Sequence, residues 1–305
     1  MLYLPYYSLN EKPFQDSADP KFFWLGGGQS EAIAILKYGI ENGDGITVLT
    51  GDVGTGKTAL VKYLAGLHNH EFKIAKIDDS DIEPQDFLYF LADSLNLPNS
   101  FEDKRSFFRY IDEEYSRTKK RMLIILDEAH RSTKSLLNDL DLMTKIKRDN
   151  KHLINAILTG QNPLIELIKK LPINDSKQKA HMLCHLRSLT KNETNEYIKH
   201  RLKIAGTDRK LFSSGAIGKI FQYSGGIPRV INSICDHALM IGYSTDLKEI
   251  KSSVIKECAE DLLIGNSALD NGKHLTKETS GVKVVKQAYK RTKQNLFTWT
   301  TSSSN

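Results

Sequence analysis

The sequence predicts an α/β fold, in which a parallel sheet is flanked by helices, followed by an all-helical lid domain. Three observations lead to this prediction. From Ile46 to about Leu186, short apolar runs alternate with longer amphipathic ones, the pattern of parallel strands joined by helical crossovers. After Leu189 the strand signals cease and only helical patterns follow. A glycine-rich segment also lies between the first strand and the next helix, as in P-loop nucleotide-binding folds.

The predicted elements follow in order along the chain. The strands are residues 46–50 (ITVLT), 73–78 (KIAKID), 122–127 (MLIILD), 154–160 (INAILTG) and 182–186 (MLCHL). The helices between them are residues 57–67, 84–95, 101–118, 136–148 and 164–171. Four further helical patterns follow Leu189. The first of them opens with a capping box formed by Thr190 and Glu193, which marks the start of a helix.

These patterns divide the chain into three parts. Residues 1–189 are expected to form a nucleotide-binding α/β domain with an N-terminal wrapping segment, and residues 190–264 a helical lid domain. Residues 265–305 contain seven Lys or Arg against two Asp or Glu, so this tail carries most of the net charge of +6. Its polar, small and cationic composition predicts a disordered segment.

Composition excludes several classes of protein. No apolar run reaches the roughly 18 residues that a membrane span needs, and the N-terminus lacks the pattern of a secretory signal. A cytoplasmic location is therefore expected. The three widely spaced cysteines predict reduced, buried thiols rather than a disulfide framework. Because the body outside the tail is nearly neutral, an extensive basic coat for nucleic acid is not predicted.

The segment GDVGTGKT matches the phosphate-binding pattern G-x-x-x-x-G-K-[ST]. Its glycines allow the backbone to curl so that successive N–H groups face phosphate oxygens, and the following helix adds the positive end of its dipole. Lys57 is expected to reach the β and γ phosphates, while the Thr58 hydroxyl coordinates a magnesium ion. The predicted nucleotide contacts are Gly51, Asp52, Val53, Gly54, Thr55, Gly56, Lys57 and Thr58.

The strand MLIIL ends in an acidic pair, Asp127 and Glu128. Asp127 is expected to hold the magnesium ion through water, and Glu128 to orient and deprotonate an attacking water molecule. The alternative is a solvated loop or a helix start. Together with the glycine-rich segment, the pair predicts a site for Mg²⁺ and a nucleoside triphosphate, ATP, with hydrolysis rather than passive binding.

A polar pair also follows the fourth predicted strand, in ILTGQNP. In a doubly wound sheet, ligands bind at the carboxyl ends of the strands. Thr159 and Gln161 are therefore candidates for sensing the γ-phosphate, with Thr159 favoured. Either residue could instead cap the following helix.

Seven motifs in chain order resemble one family. They are YYSLNEKPF, GDVGTGKT, LIILDEAH, ILTGQNPL, HLRSLT, YIKHRLKIAG and YSGGIPRVIN. This set resembles the ExeA or GspA group of AAA+ ATPases, a relative of the transposition regulators TnsC and TniB. The resemblance covers about residues 1–263. The N-terminal motif and SGGIPRVIN narrow it to this group, since the phosphate-binding motifs are widespread.

The resemblance implies a ring or similar oligomer of the chain with itself, with ATP at the subunit contacts. It implies that Arg229, in GGIPR, is a lid arginine that touches the γ-phosphate, for which a guanidinium has suitable geometry; a surface ion pair is the alternative. The segments KPF and KFFWLGG would wrap near the adenine, although Phe14, Phe22 and Phe23 could instead be core residues.

One position departs from the family pattern. Members of the group usually carry a Gln-Arg pair before the last strand, whose arginine acts on the neighbouring subunit's nucleotide. Here Gln178 and Lys179 occupy these places. Lysine lacks the bidentate fork of arginine, so either hydrolysis is slow or another arginine, such as Arg187, substitutes.

The sequence thus predicts an ATPase that drives assembly or remodelling of a larger protein complex, of the secretion or pilus type, in the cytoplasm or peripherally at the inner membrane. One alternative is an ATP-dependent transposition regulator that binds double-stranded DNA. Another is a nucleotide-dependent scaffold with negligible hydrolysis.

Overall fold

The computed structural model describes residues 3–15, 19–42, 45–78, 82–97, 101–148, 151–170 and 182–270. The chain divides into two compact units. The first, here called the α/β unit, is Ala18–Arg187. The second, called the helical unit, combines Met1–Ser17 with Ser188–Asn305.

The α/β unit is built on a parallel five-stranded sheet. The strands of the unit are β1 (Ile46–Gly51), β2 (Phe72–Ile77), β3 (Arg121–Leu126), β4 (Lys147–Arg148), β5 (Lys151–His152), β6 (Ile154–Gly160) and β7 (Met182–Leu186). The sheet order is β2-β3-β6-β1-β7, and every neighbouring pair is parallel. All five predicted strands are confirmed, and with them the predicted fold class. The short strands β4 and β5 form a separate antiparallel pair.

Helices cover both faces of this sheet. They are α1 (Gly27–Asn42), α2 (Lys57–His68), α3 (Phe87–Ser94), α4 (Lys104–Thr118), α5 (Lys134–Thr144) and α6 (Pro163–Lys169). One apolar cluster packs α3 to α6 on one face, and a second packs α1 and α2 on the other. The prediction of one helix over residues 136–148 is wrong at its end, because β4 follows α5 and pairs with β5. The sequence prediction also omitted α1.

The helical unit contains α7 (Lys191–Ile204), α8 (Ser214–Ser224), α9 (Pro228–Ser244) and α10 (Ser252–Asp270). The predicted capping box is confirmed, since Thr190 and Glu193 bond each other's backbone N–H groups. The N-terminal residues pack in this unit through the buried side chains of Tyr3, Tyr7 and Phe14, whereas the sequence prediction assigned them to the nucleotide-binding domain. Phe14 lies edge-on to Phe212, with ring centroids 6.0 Å apart.

The three cysteines, Cys184, Cys235 and Cys258, are buried free thiols, as expected from their spacing. Burial raises the pKa of Cys184 to about 11 and that of Cys258 to about 12. None of the helices described in the two units combines the length and the apolar composition that crossing a bilayer requires.

Candidate nucleotide site

A tight loop joins β1 to α2 at the carboxyl end of the sheet. Gly54 and Gly56 have φ values of 80° and 99°, a region that side chains disfavour. Gly51 pairs with Leu186 of β7, and a Cβ atom at position 51 would lie 2.6 Å from the Leu186 carbonyl oxygen. Gly56 caps α2 without a side-chain hydrogen bond. The loop therefore presents backbone amides and a helix N-terminus, the features that bind phosphate.

The Lys57 ammonium group is held at this loop. Its Nζ donates hydrogen bonds to the carbonyl oxygens of Gly51, at 2.9 Å, and Asp52, at 3.0 Å. The side chain is buried, and burial lowers the pKa of Lys57. The carboxylates of Glu128, Asp127 and Asp52 oppose that shift by favouring the charged form. Lys57 thus places a partly desolvated cation beside the anion-binding loop.

Asp127 connects three segments around the site. Its Oδ2 accepts a hydrogen bond from the Thr58 hydroxyl at 2.6 Å, and its Oδ1 accepts from the Glu128 backbone N–H at 3.0 Å. Oδ1 also accepts a hydrogen bond from the Thr159 hydroxyl. Asp127 is buried, and its Oδ2 lies against the hydroxyl oxygen of Thr58. A hydroxyl and a carboxylate side by side are ligands that Mg²⁺ prefers, so the residues present fit this ion.

Thr159 and Gln161 lie at the end of β6 and start the connection to α6. The N-cap of α6 is Asn162, so neither residue caps that helix and the capping alternative is wrong. Thr159 is buried against Asp127, whereas Gln161 bonds to His130. The structure therefore brings Thr159 to the acidic pair. Its role in sensing the γ-phosphate stays a prediction.

Glu128 differs from its neighbour in conformation and exposure. Its φ is 51°, a left-handed value that a non-glycine residue rarely adopts. This backbone turn separates the two carboxylates, and the Glu128 side chain is 40% exposed while Asp127 is buried. Strained conformations of this kind concentrate at functional sites. Glu128 is thus accessible to solvent beside the buried Asp127, and a base that takes a proton from water needs such access.

His130 is a site residue that the sequence prediction did not assign. Its Nδ1 lies 3.5 Å from Oε2 of Glu128 and accepts from the Gln161 backbone N–H at 3.4 Å. The second ring nitrogen lies 3.2 Å from the Gln161 side-chain nitrogen. His130 therefore connects the segment after β3 with the segment after β6. Its place in the motif DEAH was the available signal.

The remaining predicted residues lie elsewhere. Arg229 lies in the first turn of α9, in the helical unit. Gln178 and Lys179 fall outside the described residues. Arg187 follows β7, and its guanidinium carbon would lie 3.7 Å from a Cβ atom at Gly28, in α1. Phe22 is buried, and Phe23 stacks on Tyr63 of α2 with centroids 4.6 Å apart.

Sequence comparison links the chain to a known domain and a known relative. The AAA domain family matches residues 40–168. General secretion pathway protein A of Aeromonas hydrophila is 31% identical over 247 residues, which are 80% of this chain and 45% of that protein. The chain thus spans less than half the length of this relative. Both matches agree with the resemblance read from the motifs.

Solved structures show the same fold. The ORC2 protein of Aeropyrum pernix matches with a TM-score of 0.63 at 17% identity, covering 82% of this chain and 71% of that one. Cdc6p from Pyrobaculum aerophilum matches with a TM-score of 0.61 at 17% identity, covering 76% of this chain and 68% of that one. At this identity, the likeness establishes the fold alone.

Proposed function

The chain is a GspA-like member of the AAA+ family, and from this premise we propose that it binds Mg-ATP and hydrolyses it to ADP and phosphate. The observation that carries the proposal is the hydrogen bond between the Thr58 hydroxyl and the Asp127 carboxylate, beside the Lys57 ammonium. This contact joins the start of the helix after the phosphate-binding loop to the acidic end of β3.

Each group at the site has a defined part in the proposed reaction. Backbone amides of residues 51–58 and the Lys57 ammonium would hold the phosphates. Thr58 would contact a magnesium ion directly and Asp127 would hold its hydration shell; the ion, when bound, neutralises charge on the phosphate oxygens. Thr159, which donates a hydrogen bond to Asp127, would sense whether a γ-phosphate is present and change the position of the end of β6 accordingly.

Glu128 would act as the general base. It accepts a proton from water while the water oxygen forms a bond to the γ-phosphorus and the bond from phosphorus to the departing ADP oxygen breaks. The accessible carboxylate of Glu128 suits this part, because the reacting water comes from solvent. Asp127 is less suited to this part, since it is buried and both of its oxygens already accept hydrogen bonds.

The work done with ATP is proposed from the relative. We assign the chain to assembly or remodelling of a larger protein complex, because its relative is a general secretion pathway protein. We further propose that the chain associates with itself as a ring or filament, in the cytoplasm or peripherally at the inner membrane. Arg229 is the arginine that reports the γ-phosphate in this scheme. The position of Arg229 at a helix start after two glycines supports the assignment.

Two variants test the proposal by separating binding from turnover. Calorimetry with Mg-ATP is expected to show binding to the wild type and an affinity at least about 100-fold lower for Lys57→Ala, because the cation at the phosphates is lost. Glu128→Gln is expected to bind ATP within about threefold of wild type and to release phosphate at least about 100-fold more slowly.

Matched controls are Lys62→Ala, half-buried in α2, and Glu166→Gln, exposed in α6; both should behave as wild type. Wild-type phosphate release in Glu128→Gln would refute the assigned base. Absence of any ATP binding would refute the whole proposal. ATP-dependent, salt-sensitive binding to duplex DNA would instead favour the transposition regulator, and binding without turnover the scaffold.

A further inference from the structure

Gln29 is a polar residue on the buried face of α1. It lies three and seven residues before the core residues Ala32 and Leu36, and it is only 6% exposed. Its Oε1 atom is buried and has no hydrogen-bond partner among the described residues. Leaving such an acceptor unpaired destabilises the folded protein. A residue kept at this cost is a candidate for binding a group that the chain itself does not contain.

Contacts along α1 place Gln29 at the same edge of the sheet as the phosphate-binding loop. Near the end of α1, a Cβ atom at Gly39 would lie 2.4 Å from Oγ1 of Thr47 and 3.5 Å from the Met182 side chain, at the starts of β1 and β7. Near its beginning, Gly28 neighbours Arg187, just beyond β7. The helix therefore runs antiparallel to the strands. Its first turn, with Gln29, lies at their carboxyl ends.

The order of the strands fixes which end of a nucleotide would face α1. β1, which leads into the loop, lies between β6 and β7. Asp127 and Glu128 follow β3 and Thr159 ends β6, so the reacting γ-phosphate belongs on that side of the loop. The base and ribose must then extend toward the opposite side, where β7 and the first turn of α1 lie.

The geometry points to Gln29 as the residue that selects the base: its Oε1 accepts a hydrogen bond from the 6-amino group of adenine. This inference rests on the proposed function and names the residue that makes the site prefer ATP. A buried acceptor pairs with an amino group but repels the carbonyl oxygen that guanine carries at the same ring position. A site built to bond one such group rejects analogues that lack it.

The test compares nucleotides that differ at this ring position. The full chain and its Gln29→Met variant are titrated with the Mg²⁺ complexes of ATP, GTP and purine riboside triphosphate, which has hydrogen in place of the amino group. Methionine keeps the length of the side chain and removes the acceptor. Gln222→Met, on the exposed surface of α8, is the control.

Wild type and Gln222→Met are expected to bind ATP about tenfold more tightly than purine riboside triphosphate, and GTP more weakly still. Gln29→Met is expected to bind ATP and purine riboside triphosphate with equal affinity, because the substitution weakens the binding of ATP alone. Without nucleotide it should melt no lower than wild type, since it removes an unpaired buried oxygen.

Equal affinities for ATP and purine riboside triphosphate in wild type would overturn the inference, as would an unchanged preference in Gln29→Met. A lower melting temperature with an unchanged preference would assign Gln29 to the core and overturn it as well. In each of these cases the triphosphate still binds, so the proposed function stands. If none of the three nucleotides bound the wild type, both the inference about Gln29 and the proposed function would be refuted.

Discussion

In the α/β unit the buried Asp127 carboxylate accepts hydrogen bonds from two threonine hydroxyls, while in the helical unit the buried Arg201 guanidinium donates to backbone carbonyls. Arg201 bonds the carbonyl oxygens of Pro13 and Gln15 and, at 2.7 Å, the Tyr197 hydroxyl. Both are buried ionic groups with several partners. Their partners differ in what they connect.

The hydrogen bonds of Arg201 to the Pro13 and Gln15 carbonyls join α7 to the N-terminal segment of the helical unit. The Tyr197 hydroxyl accepts from Arg201 and donates to Asn232 at 3.0 Å, so the network links α7, α9 and the N-terminal segment. Burial raises the pKa of Tyr197, which keeps its hydroxyl protonated as a donor. Such a network fixes the packing of the helical unit.

Around Asp127 the contacts converge at the loop where Lys57 is desolvated and Glu128 adopts a left-handed backbone. At the same edge of the sheet, the Oε1 atom of Gln29 has no hydrogen-bond partner within the part of the chain that the structure describes. The desolvation of Lys57 and the left-handed backbone of Glu128 both lower the stability of the folded protein. The polar groups at this loop therefore suit the proposed nucleotide, whereas the Arg201 network stabilises the fold of the helical unit.

Asp127→Asn is the change with the largest expected effect. The variant keeps the size of the side chain but removes the charge that would hold the magnesium hydration shell, so steady-state phosphate release should fall about 1000-fold. The free energy of unfolding, measured with urea, should change by less than about 1 kcal/mol.

The control is Asp78→Asn, because Asp78 follows the neighbouring strand β2 but is 74% exposed. Its phosphate release should equal that of wild type. If Asp127→Asn instead unfolded the protein while turnover per folded molecule was retained, Asp127 would be a structural residue like Arg201, and the contrast between the units would disappear.

The fold was predictable where the signal was local. The strands β1, β3 and β6 are mostly apolar and almost wholly buried, and buried parallel strands have that composition. The helix α1 was not predicted, because its GGGQ start is typical of a loop and its stability comes from packing Ala32, Leu36 and Ile40 on the sheet. The end of α5 was also misplaced, because pairing of β4 with β5 overrides the helical pattern of the sequence.

The residues of the candidate site were likewise predictable only where the signal was local in sequence. Residues 51–58, Asp127, Glu128 and Thr159 were found from motifs, since each motif lies within a few consecutive residues. The contacts of His130 and the burial of Gln29 depend on segments distant in sequence and could not be predicted. In SGGIPRVIN, the structure adds a folding role for Gly226: its φ is 76°, and a Cβ there would lie 1.9 Å from the Leu189 carbonyl oxygen.

Arg201→Met tests whether the Arg201 network stabilises the helical unit. It leaves the Pro13 and Gln15 carbonyls and the Tyr197 hydroxyl without their donor, so the free energy of unfolding should fall by about 3 kcal/mol. Arg209→Met, exposed in the same unit, should change it by less than about 0.5 kcal/mol. A small effect of Arg201→Met on urea unfolding would contradict a structural role for this network.

Thr159→Val has a smaller expected effect than Asp127→Asn and Arg201→Met. It tests whether Thr159 orients the Asp127 carboxylate for the reaction. Valine matches the shape of threonine but cannot donate to Asp127, so the carboxylate loses one of the hydrogen bonds that orient it. Phosphate release should fall about tenfold, which corresponds to one hydrogen bond, while ATP affinity stays within about threefold.

The control is Thr47→Val, because Thr47 is a buried threonine at the opposite end of β1 and far from the acidic pair. If both variants slowed turnover equally, the loss would reflect a general effect of removing a buried hydroxyl from the sheet, and Thr159 would have no part in reading the γ-phosphate.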